Sequence, residues 1–371
     1  MIRVGIVYDT AVKGLGGHGL HLAFLGLPGV RIAALADSNR ENLDQRMAIL
    51  NAETHYSDWR RMLAEEPLDV VAVCSRLPGE HVEIIMAAVQ KGCHVLCEKP
   101  LCTTAIEAEQ IVRRSRECRV RVAVSHLARY ALVFQTMKKM MDDGAVGRIL
   151  TFYGRGKEDS RGGGEDLLVL GTHILDLGVF LFGRPENVYA EISQFGRPIE
   201  ATDAMPTAEP LGKVAGTDVF AAFRFPNEIR GIFESRRGLF QKQVRMGVTV
   251  AGTEGCLSVR YDDQRALRLT RSPYPAEDES AYEIVPLREN RVIPGACPLD
   301  YSLFPVSAAR YFMDNNRFAA YDLLEAVRNQ REPVSSAAQA KLTFEIIEAM
   351  YQSAFTGRKV VLPQTWPALP S

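Results

Sequence analysis

Short apolar segments alternate with helical ones through the first third of this chain, and no other feature of the sequence restricts the fold as strongly. Apolar runs rich in β-branched residues lie at 3–8, 31–36, 70–74, 93–97 and 120–124. Helical patterns lie between them, at 43–52, 59–63, 81–91 and 106–118. Strands that alternate with helices at this spacing predict an α/β fold with a doubly wound parallel sheet.

One of the predicted strands ends abruptly in an acid, a base and a proline. The apolar run 93–97 is followed by Glu98-Lys99-Pro100. Proline has no backbone N–H and cannot continue a central strand. Lys99 is therefore expected at the carboxyl edge of the sheet, where α/β proteins bind ligands. A lysine there can donate a proton or hydrogen bond to a substrate oxygen; the alternative is a surface lysine beside a turn.

A glycine-rich segment follows the first predicted strand. Gly14-Leu15-Gly16-Gly17-His18-Gly19 matches G-x-G-x-x-G, and a helix-like run at 18–27 comes after it. Glycines let the backbone approach a pyrophosphate closely, at a helix start whose free N–H groups face the anion. Residues 8–13 separate the strand from the first glycine, so this loop is longer than in the usual fingerprint. The alternative is a flexible glycine loop.

An acid at the end of the second predicted strand favours one nicotinamide cofactor over the other. Asp37 lies 18 residues after Gly19, close to the spacing of the carboxylate that binds the ribose hydroxyls. A carboxylate repels a 2′-phosphate, so we expect NAD rather than NADP. Arg40 lies close enough to keep NADP as the alternative.

Composition excludes several classes of partner. The 371 residues predict two or three domains, and the formal net charge of −1 gives no reason to expect a nucleic-acid or membrane partner. No apolar run is long enough to span a bilayer. The seven cysteines show no C-x-x-C pairing, so we expect free thiols and no metal site. The first strand begins at the N-terminus without a signal-like segment, which predicts a cytoplasmic protein.

A second candidate site lies in the middle of the chain. Residues 155–166 are rich in glycine and charge and lead into a helix predicted at 167–182. The segment is either a solvated loop or a loop that faces the substrate. On the helix, His173 and Asp176 are three residues apart and share one face, so the carboxylate can orient the imidazole. An imidazole titrates near neutral pH; the alternative is a buried core histidine.

Several motifs occur together in an order that is specific. Those that carry the resemblance are Pro78-Gly79-Glu80-His81, Glu98-Lys99-Pro100, Arg129-Tyr130, Gly162-Gly163-Gly164, Gly171-Thr172-His173-Ile174-Leu175-Asp176 and Gly252-Thr253-Glu254-Gly255. With them the chain resembles, nearly from end to end, the glucose–fructose oxidoreductase, inositol dehydrogenase and rhizopine-catabolism family, written Gfo/Idh/MocA.

The resemblance implies a two-domain oxidoreductase. Residues 1–125 would form an N-terminal Rossmann domain that binds NAD(P). Residues 126–371 would form a C-terminal α+β domain with a large, mostly antiparallel open sheet for substrate binding and oligomerisation. The resemblance further implies a homo-oligomer, a dimer or tetramer, that acts on sugars, polyols or related cyclic substrates.

The motifs and the resemblance together predict three sets of site residues. The cofactor set is Gly14, Gly16, Gly17, His18, Gly19, Asp37, Ser75, Pro78, His81, Glu98 and Lys99. The catalytic set is Lys99, His173 and Asp176, and the substrate set is Lys99, Arg129, Arg155, Glu165 and His173. For His81, the alternative is a solvated residue in the first turn of its helix.

The sequence departs from the family pattern at one position. Many dehydrogenases of this family have an Asp four residues before the His, and here that position is Val169. Glu165 precedes Val169 by one helical turn, so it can substitute only if the helix extends that far.

The leading hypothesis is reversible hydride transfer between nicotinamide and a hydroxyl-bearing carbon of a sugar or cyclitol. His173 is the expected base, oriented by Asp176, and Lys99 stabilises the charge that develops on the same oxygen. A second hypothesis is transient oxidation by a tightly held NAD, with elimination or epimerisation and no net redox change, as in a glycosidase, lyase or epimerase. A third is a non-catalytic NAD-binding sensor.

Overall fold

The computed structural model describes residues 1–11, 18–169, 171–208, 211–239, 246–276, 279–287, 291–306 and 308–363. Its helices are α1 Leu43–Leu50, α2 Trp59–Glu65, α3 Pro78–Gln90, α4 Ala105–Glu117, α5 Leu132–Asp142, α6 Gly164–Val169, α7 Gly171–Phe182, α8 Ala309–Arg328 and α9 Ala337–Thr356. None of the described helices is long and apolar enough to cross a membrane.

The strands occur in two groups along the chain. The first group is β1 Ile2–Val7, β2 Val30–Ala36, β3 Thr54–Tyr56, β4 Val70–Val73, β5 His94–Cys97 and β6 Val122–Val124. The second is β7 Ile149–Arg155, β8 Asn187–Gln194, β9 Arg197–Pro198, β10 Met205–Pro206, β11 Lys213–Val214, β12 Asp218–Arg224, β13 Arg230–Arg236, β14 Gly247–Gly252, β15 Cys256–Arg260, β16 Leu267–Thr270, β17 Glu283–Ile284 and β18 Val360–Val361.

The chain divides into two compact units. Unit 1 comprises Met1–Ala131 and Glu289–Lys341, and unit 2 comprises Leu132–Arg288 and Leu342–Ser371. The sequence-based boundary at 125/126 lies six residues before the first of these junctions. It also assigned residues 289–341 to the second domain, whereas contacts place them in unit 1.

Unit 1 contains a six-stranded parallel sheet in the order β3-β2-β1-β4-β5-β6. The strand order reverses between β1 and β4. Strands β2 and β3 follow on one side of β1, and β4, β5 and β6 follow on the other. The carboxyl ends of the strands beside such a reversal form the nucleotide-binding crevice of doubly wound sheets. The predicted Rossmann architecture is thus confirmed.

Helix α8 belongs to unit 1 because of its apolar face. Met313, Ala320 and Leu323 are buried in one hydrophobic cluster with Val4 and Ile6 of β1. The helix begins at Ala309 and ends at Arg328. Burying this face against the sheet removes apolar surface from water, which accounts for the return of the chain to unit 1.

The helix predicted at 18–27 is wrong. In its place is a single 3₁₀ turn, Leu20–Leu22, followed by further turns. Gly19 and Gly26 flank it with left-handed backbone angles, φ 74° and 64°. A right-handed helix cannot contain such residues, so there is no long helix here whose N-terminus could face a pyrophosphate.

Unit 2 is built on a ten-stranded sheet. Its path is β17-β16-β15-β14-β7-β13-β12-β8-β18, with β9 paired to β8. Only the β7–β13 pair is parallel among the strand pairs of this sheet that the structure describes. The predicted large, mostly antiparallel sheet is confirmed.

The helix predicted at 167–182 begins earlier, at Gly164. Helix α6 covers Gly164–Val169 and α7 covers Gly171–Phe182, on either side of residue 170, which lies outside the described residues. All six residues of α6 are buried.

Candidate active site

Glu98 and Lys99 lie at the carboxyl end of β5, between β4 and β6. Lys99 is only 3% exposed, so the alternative of a surface lysine is wrong. Its backbone N–H donates to Glu98 Oε2 over 2.8 Å. Burying an ammonium group costs free energy unless other polar groups face it. We therefore interpret the buried Lys99 at the sheet edge as a functional feature.

A capping box anchors the chain shortly after Lys99. At the start of α4, Thr104 Oγ1 accepts the N–H of Glu107 over 3.2 Å, and Glu107 Oε2 accepts the N–H of Thr104 over 3.1 Å. This reciprocal pair satisfies two N–H groups that a helix start leaves free. The segment that carries Lys99 is therefore fixed at one end by β5 and at the other by α4.

The Glu98 carboxylate is held by His18. His18 Nδ1 lies 3.2 Å from each carboxylate oxygen, and because an ionised carboxylate only accepts, Nδ1 is the donor. Burial alone raises the pKa of Glu98, but the interaction with His18, followed by the charges of Arg76 and Lys99, outweighs burial and holds that pKa at about 2. Burial lowers the pKa of His18. Glu98 is thus an anion at neutral pH.

Helix α8 positions His18. The imidazole stacks on Phe312 with ring centroids 5.1 Å apart. Asn316 donates to the His18 carbonyl oxygen over 2.7 Å and accepts from Ser125 Oγ over 2.6 Å. A fully buried amide thus joins the end of β6 to the residue that binds Glu98.

The Glu98 carboxylate gives a testable dependence of stability on pH. Its folded-state pKa lies below the ordinary glutamate value of 4.5, so its stabilisation is complete above pH 4.5 and is lost as pH falls through about 2. We expect wild type to lose about 2 kcal/mol more than Glu98→Gln between pH 6 and pH 3. Urea denaturation of both proteins at several pH values measures this difference; parallel curves would contradict it.

His81 lies inside the protein and not on its surface. It is 0% exposed, so the alternative of a solvated first-turn residue is wrong. Its Nδ1 lies 2.9 Å from the Pro100 carbonyl oxygen and its Nε2 lies 2.8 Å from that of Ser75. The ring therefore connects the end of β4 to the residue after Lys99. Burial lowers its pKa.

Ser75 and Pro78 shape the turn between β4 and α3. Ser75 Oγ accepts the N–H of Leu77 over 3.2 Å and donates to Glu80 over 3.1 Å. Pro78 is the first residue of α3, where its missing N–H costs nothing.

Asp37 is buried at the end of β2 and binds three neighbours. Thr10 Oγ1 donates to Oδ2 over 2.7 Å, the N–H of Asn39 donates to Oδ1 over 3.0 Å, and Arg46 Nε lies 3.1 Å from Oδ2. The carboxylate lines a cleft of about 210 Å³ together with Ser75. This cleft lies at the carboxyl ends of β1, β2 and β4, where the fold predicts a nucleotide.

The Asp37–Arg46 pair predicts how cofactor preference changes. Removing the carboxylate takes away the charge that repels a 2′-phosphate and leaves the Arg46 cation beside the cleft. We expect Asp37→Ala to lower the Kd of NADPH relative to that of NADH by about tenfold or more, which corresponds to about 1.4 kcal/mol. Fluorescence titration of both cofactors measures the ratio.

Asp44→Ala is the matched control for that experiment. Asp44 is an exposed acid on α1, the helix that carries Arg46, so its removal changes the net charge equally. An equal shift in both variants would assign the effect to net charge and contradict a specific role of Asp37.

The glycine loop is described in part. Gly14, Gly16 and Gly17 lie outside the described residues. Gly19 has φ 74° and lies against the Phe304 ring, which an added Cβ would approach to 3.3 Å. The structure thus describes only His18 and Gly19 of this loop. Both contact residues between 304 and 316, which follow the first segment of unit 2 in the chain.

In unit 2, α7 carries His173 and Asp176. Asp176 is fully buried and His173 is half-buried. They are three residues apart on one helix, as the sequence predicted. A partly exposed imidazole beside a buried acid on the same helix face is an arrangement suited to proton transfer.

Glu165 and Asp166 point to different partners. Glu165 Oε1 accepts the N–H of Ala208 over 2.9 Å, and its Oε2 lies 4.0 Å from Arg237 Nη2. It lines a cavity of about 270 Å³ within unit 2. Helix α6 does extend to Glu165, which meets the condition for Glu165 to replace an acid at Val169. Asp166, in contrast, accepts the N–H of Gly171 at the start of α7 over 3.1 Å.

The two arginines of the predicted substrate set are bound to other parts of the protein. Arg129 is 2% exposed and donates to the Val334 carbonyl oxygen over 3.0 Å. Arg155, the last residue of β7, lies 3.3 Å from the buried Glu158 and also pairs with Glu234.

The segment 155–166 is not a solvated loop. Of these residues, all of which the structure describes, only Ser160 is exposed. Gly156 allows Asp166 to approach, because an added Cβ would lie 1.8 Å from Asp166 Oδ2.

No group of three or more His, Cys, Asp or Glu among the described residues is arranged to hold a metal ion.

Sequence reasoning missed Asn316, Phe312 and Asp166. The first two lie on α8, more than 290 residues after His18 in the chain. Asp166 is adjacent to Glu165 in the sequence, and the periodicity gave no reason to choose between the two acids. For Asn316, the sequence signal was a polar residue within the apolar stripe of a helix.

Comparison with known proteins identifies the family. Residues 9–126 match the profile described as "Oxidoreductase family, NAD-binding Rossmann fold", and residues 134–258 match the "GFO/IDH/MocA C-terminal domain". The chain is 26% identical over 356 residues to levoglucosan dehydrogenase of Pseudarthrobacter phenanthrenivorans, covering 89% of each chain. It is also 26% identical to D-apiose dehydrogenase of Paraburkholderia graminis, covering 92% of this chain and 85% of the relative.

Solved structures agree with the fold. Levoglucosan dehydrogenase in complex with NADH and L-sorbose superimposes with a TM-score of 0.74 at 21% identity, covering 98% of this chain and 99% of that one. Both predicted domain types, the sheet architectures and both family profiles therefore agree, and the chain belongs to the Gfo/Idh/MocA oxidoreductase family, with the NAD-binding Rossmann fold of that family in its first unit.

Proposed function

We propose that this protein is a dehydrogenase that transfers a hydride between NAD and a hydroxyl-bearing carbon of a sugar, polyol or cyclitol. The observation that carries the proposal is the buried Lys99 at the carboxyl edge of an NAD-binding fold, beside a carboxylate that stays ionised. A cation held in a site with little water stabilises a developing oxyanion far better than one in solution.

The substrate class is supported by the relatives. Among them are dehydrogenases named for levoglucosan, D-apiose, D-glucosides and inositols. These compounds share a carbon that carries both hydrogen and hydroxyl in a compact polyhydroxylated frame. We assign the same class to this chain without choosing among its members.

The residues of unit 1 fit a dinucleotide. Asp37 and Ser75 line the cleft at the reversal of strand order, and His18 and Gly19 end the glycine loop. We assign these four residues, with Pro78, to holding the cofactor. Bound NAD supplies the hydride acceptor that no side chain can provide.

We assign transfer of the hydroxyl proton, and stabilisation of the charge that develops on the substrate oxygen, to side chains of the protein. His173 takes the hydroxyl proton as the hydride leaves, because a neutral imidazole can act as a general base. Asp176 orients that imidazole. Lys99 donates a hydrogen bond to the substrate oxygen on which negative charge develops, and Glu98 holds the segment of Lys99 by accepting its backbone N–H.

The experiment combines cofactor analysis with a substrate panel. Native mass spectrometry of the purified protein shows whether NAD or NADP is retained. The protein is then incubated with NAD and with each of levoglucosan, D-apiose, methyl glucosides and inositols. Absorbance reports net reduction of nicotinamide, and NMR reports the carbon that is oxidised. We expect NADH to form in equal amount to an oxidised product.

Two other outcomes would replace the proposal. A new sugar product without net nicotinamide reduction would support transient oxidation by a retained NAD, the mechanism of an NAD-dependent glycosidase, lyase or epimerase. Tight NAD binding with no conversion across the panel would support a sensor. The Val169 departure is the observation that makes the first of these worth measuring.

Two further proposals concern the location and the oligomeric state of the protein. We propose a cytoplasmic homo-oligomer, a dimer or tetramer, in keeping with the large open sheet of unit 2. Light scattering after size exclusion measures the subunit number, and a monomer at micromolar concentration would contradict it.

A further inference from the structure

Asp166 is a fully buried carboxyl group that joins three segments of unit 2. Its Oδ2 accepts the N–H of Lys157, after β7, over 2.8 Å and the hydroxyl of Ser235, on β13, over 2.7 Å. Its Oδ1 accepts the N–H of Gly171 of α7 over 3.1 Å. Each contact comes from a different segment of unit 2.

The surroundings are shaped for this carboxylate. Gly156 leaves room for Oδ2, since an added Cβ would lie 1.8 Å from it and 2.7 Å from Ser235 Oγ. Ser235 Oγ also accepts the N–H of Gly163 over 3.0 Å, so the hydroxyl is fixed as a donor to Asp166. These contacts hold the Asp166 carboxylate in place beside the N–H of Gly171, two residues before His173.

We infer that Asp166 is a positioning residue for His173, which lies two residues after Gly171 on α7, and that it acts in its ionised form. The inference rests on the proposed function, in which His173 is the base. The geometry carries the inference: the carboxylate links Gly171 of α7 to β13 and to the segment after β7, so the part of the helix that bears the imidazole is held in place.

The pKa of the Asp166 carboxyl group lies above the usual range of an aspartate. Burial raises its pKa to about 6, against the hydrogen bonds from Ser235 and Lys157, and the nearby Asp159 carboxylate raises it further. The Ser235 and Gly171 contacts come from neutral donors. Protonation of Oδ2 would turn one acceptor into a donor facing the Lys157 N–H, which has no acceptor to offer.

The first test is a pH profile with Asp166→Asn. In wild type, both His173 and Asp166 must be deprotonated, so the logarithm of kcat rises on the acid limb with a slope of about 2. The asparagine cannot titrate, so the slope falls to about 1 and kcat falls by about 10- to 100-fold through misplacement of the base. The control is Asp262→Asn in the same unit, where Asp262 likewise accepts a backbone N–H, that of Arg265; its rate and slope should match wild type.

A second measurement does not depend on turnover. Protein labelled with ¹³C at the histidine ring is titrated by NMR, and the His173 signal is assigned by its absence in His173→Asn. We expect the wild-type signal to show a second inflection near pH 6 and Asp166→Asn to lose it. A protein that fails to oxidise any sugar but keeps this inflection refutes the proposed function and supports the positioning role.

Ser235→Ala tests the same link if Asp166→Asn does not fold. It removes one donor to the carboxylate and keeps the charge, so the second inflection of His173 should move to higher pH. A His173 titration identical in wild type, Asp166→Asn and Ser235→Ala, with unchanged acid-limb slopes, would overturn the inference.

Discussion

Lys99→Met is expected to lower kcat by about 10²- to 10³-fold while the Kd of NADH changes by less than about threefold. Methionine nearly matches the length of the lysine side chain and suits a site that is 3% exposed, so packing should survive. What is lost is the cation that stabilises the developing oxyanion, and single donors of this kind contribute factors of this size. Single-turnover kinetics and fluorescence titration of NADH measure the two quantities.

Lys91→Met is the matched control for that loss. Lys91 is an exposed residue at the end of α3 in the same unit, and its replacement removes the same charge. Its kcat should equal that of wild type. An active Lys99→Met enzyme, or a Lys99→Met protein that no longer binds NADH, would contradict the assignment of Lys99 to the chemical step.

His173→Ala is expected to lower kcat by about 10²- to 10⁴-fold, the usual contribution of a general base. The residual rate should keep rising with pH and show no plateau above the imidazole pKa, because hydroxide then removes the proton. Added imidazole should restore part of the rate in the variant and leave wild type unaffected.

A histidine far from the chemistry provides the control. His94 begins β5, at the opposite end of the strand from Lys99, and its Nδ1 accepts the N–H of Arg121 over 2.9 Å. His94→Gln should keep the pH profile of wild type. A His173→Ala enzyme with an unchanged profile would remove His173 from the mechanism.

The double variant tests whether both side chains act on one oxygen. If Lys99 and His173 serve the same transition state as a unit, the double replacement should cost little more than the larger single one. Independent roles would give effects that multiply.

The architecture of unit 1 was predictable because parallel strands are buried on both faces and therefore read as continuous apolar runs. The strand before Lys99 shows this well: its apolar run and the following proline fixed both its type and its end. The carboxyl edge of β5 was predicted correctly for the same reason.

Two features were not predictable from local pattern. The segment 18–27 has helical periodicity, but two glycines in left-handed geometry override it. The apolar stripe of α8 indicates burial but not the surface that buries it. Residues 289–341 were therefore assigned by chain order to the second domain, whereas contacts place them in unit 1. Periodicity reports which face is buried and carries no information about which surface buries it.

The candidate site also has one part that could be predicted from the sequence and one part that could not. Lys99 and Glu98 follow from a strand end, which is a local signal. The His18–Asn316 contact joins residues 298 apart, and the Asp166–Ser235 contact joins residues 69 apart. Long-range hydrogen bonds of this kind have no signature in a single sequence.

Because α8 completes the core of unit 1, the order of synthesis and the order of assembly must differ. A nascent chain exposes the first six strands long before α8 leaves the ribosome, although most proteins finish their N-terminal domain first. A fragment ending at residue 131 would lack the apolar side chains that α8 contributes to the hydrophobic cluster of unit 1. Truncations intended to isolate the dinucleotide-binding part should therefore aggregate unless the peptide 289–341 is supplied with them.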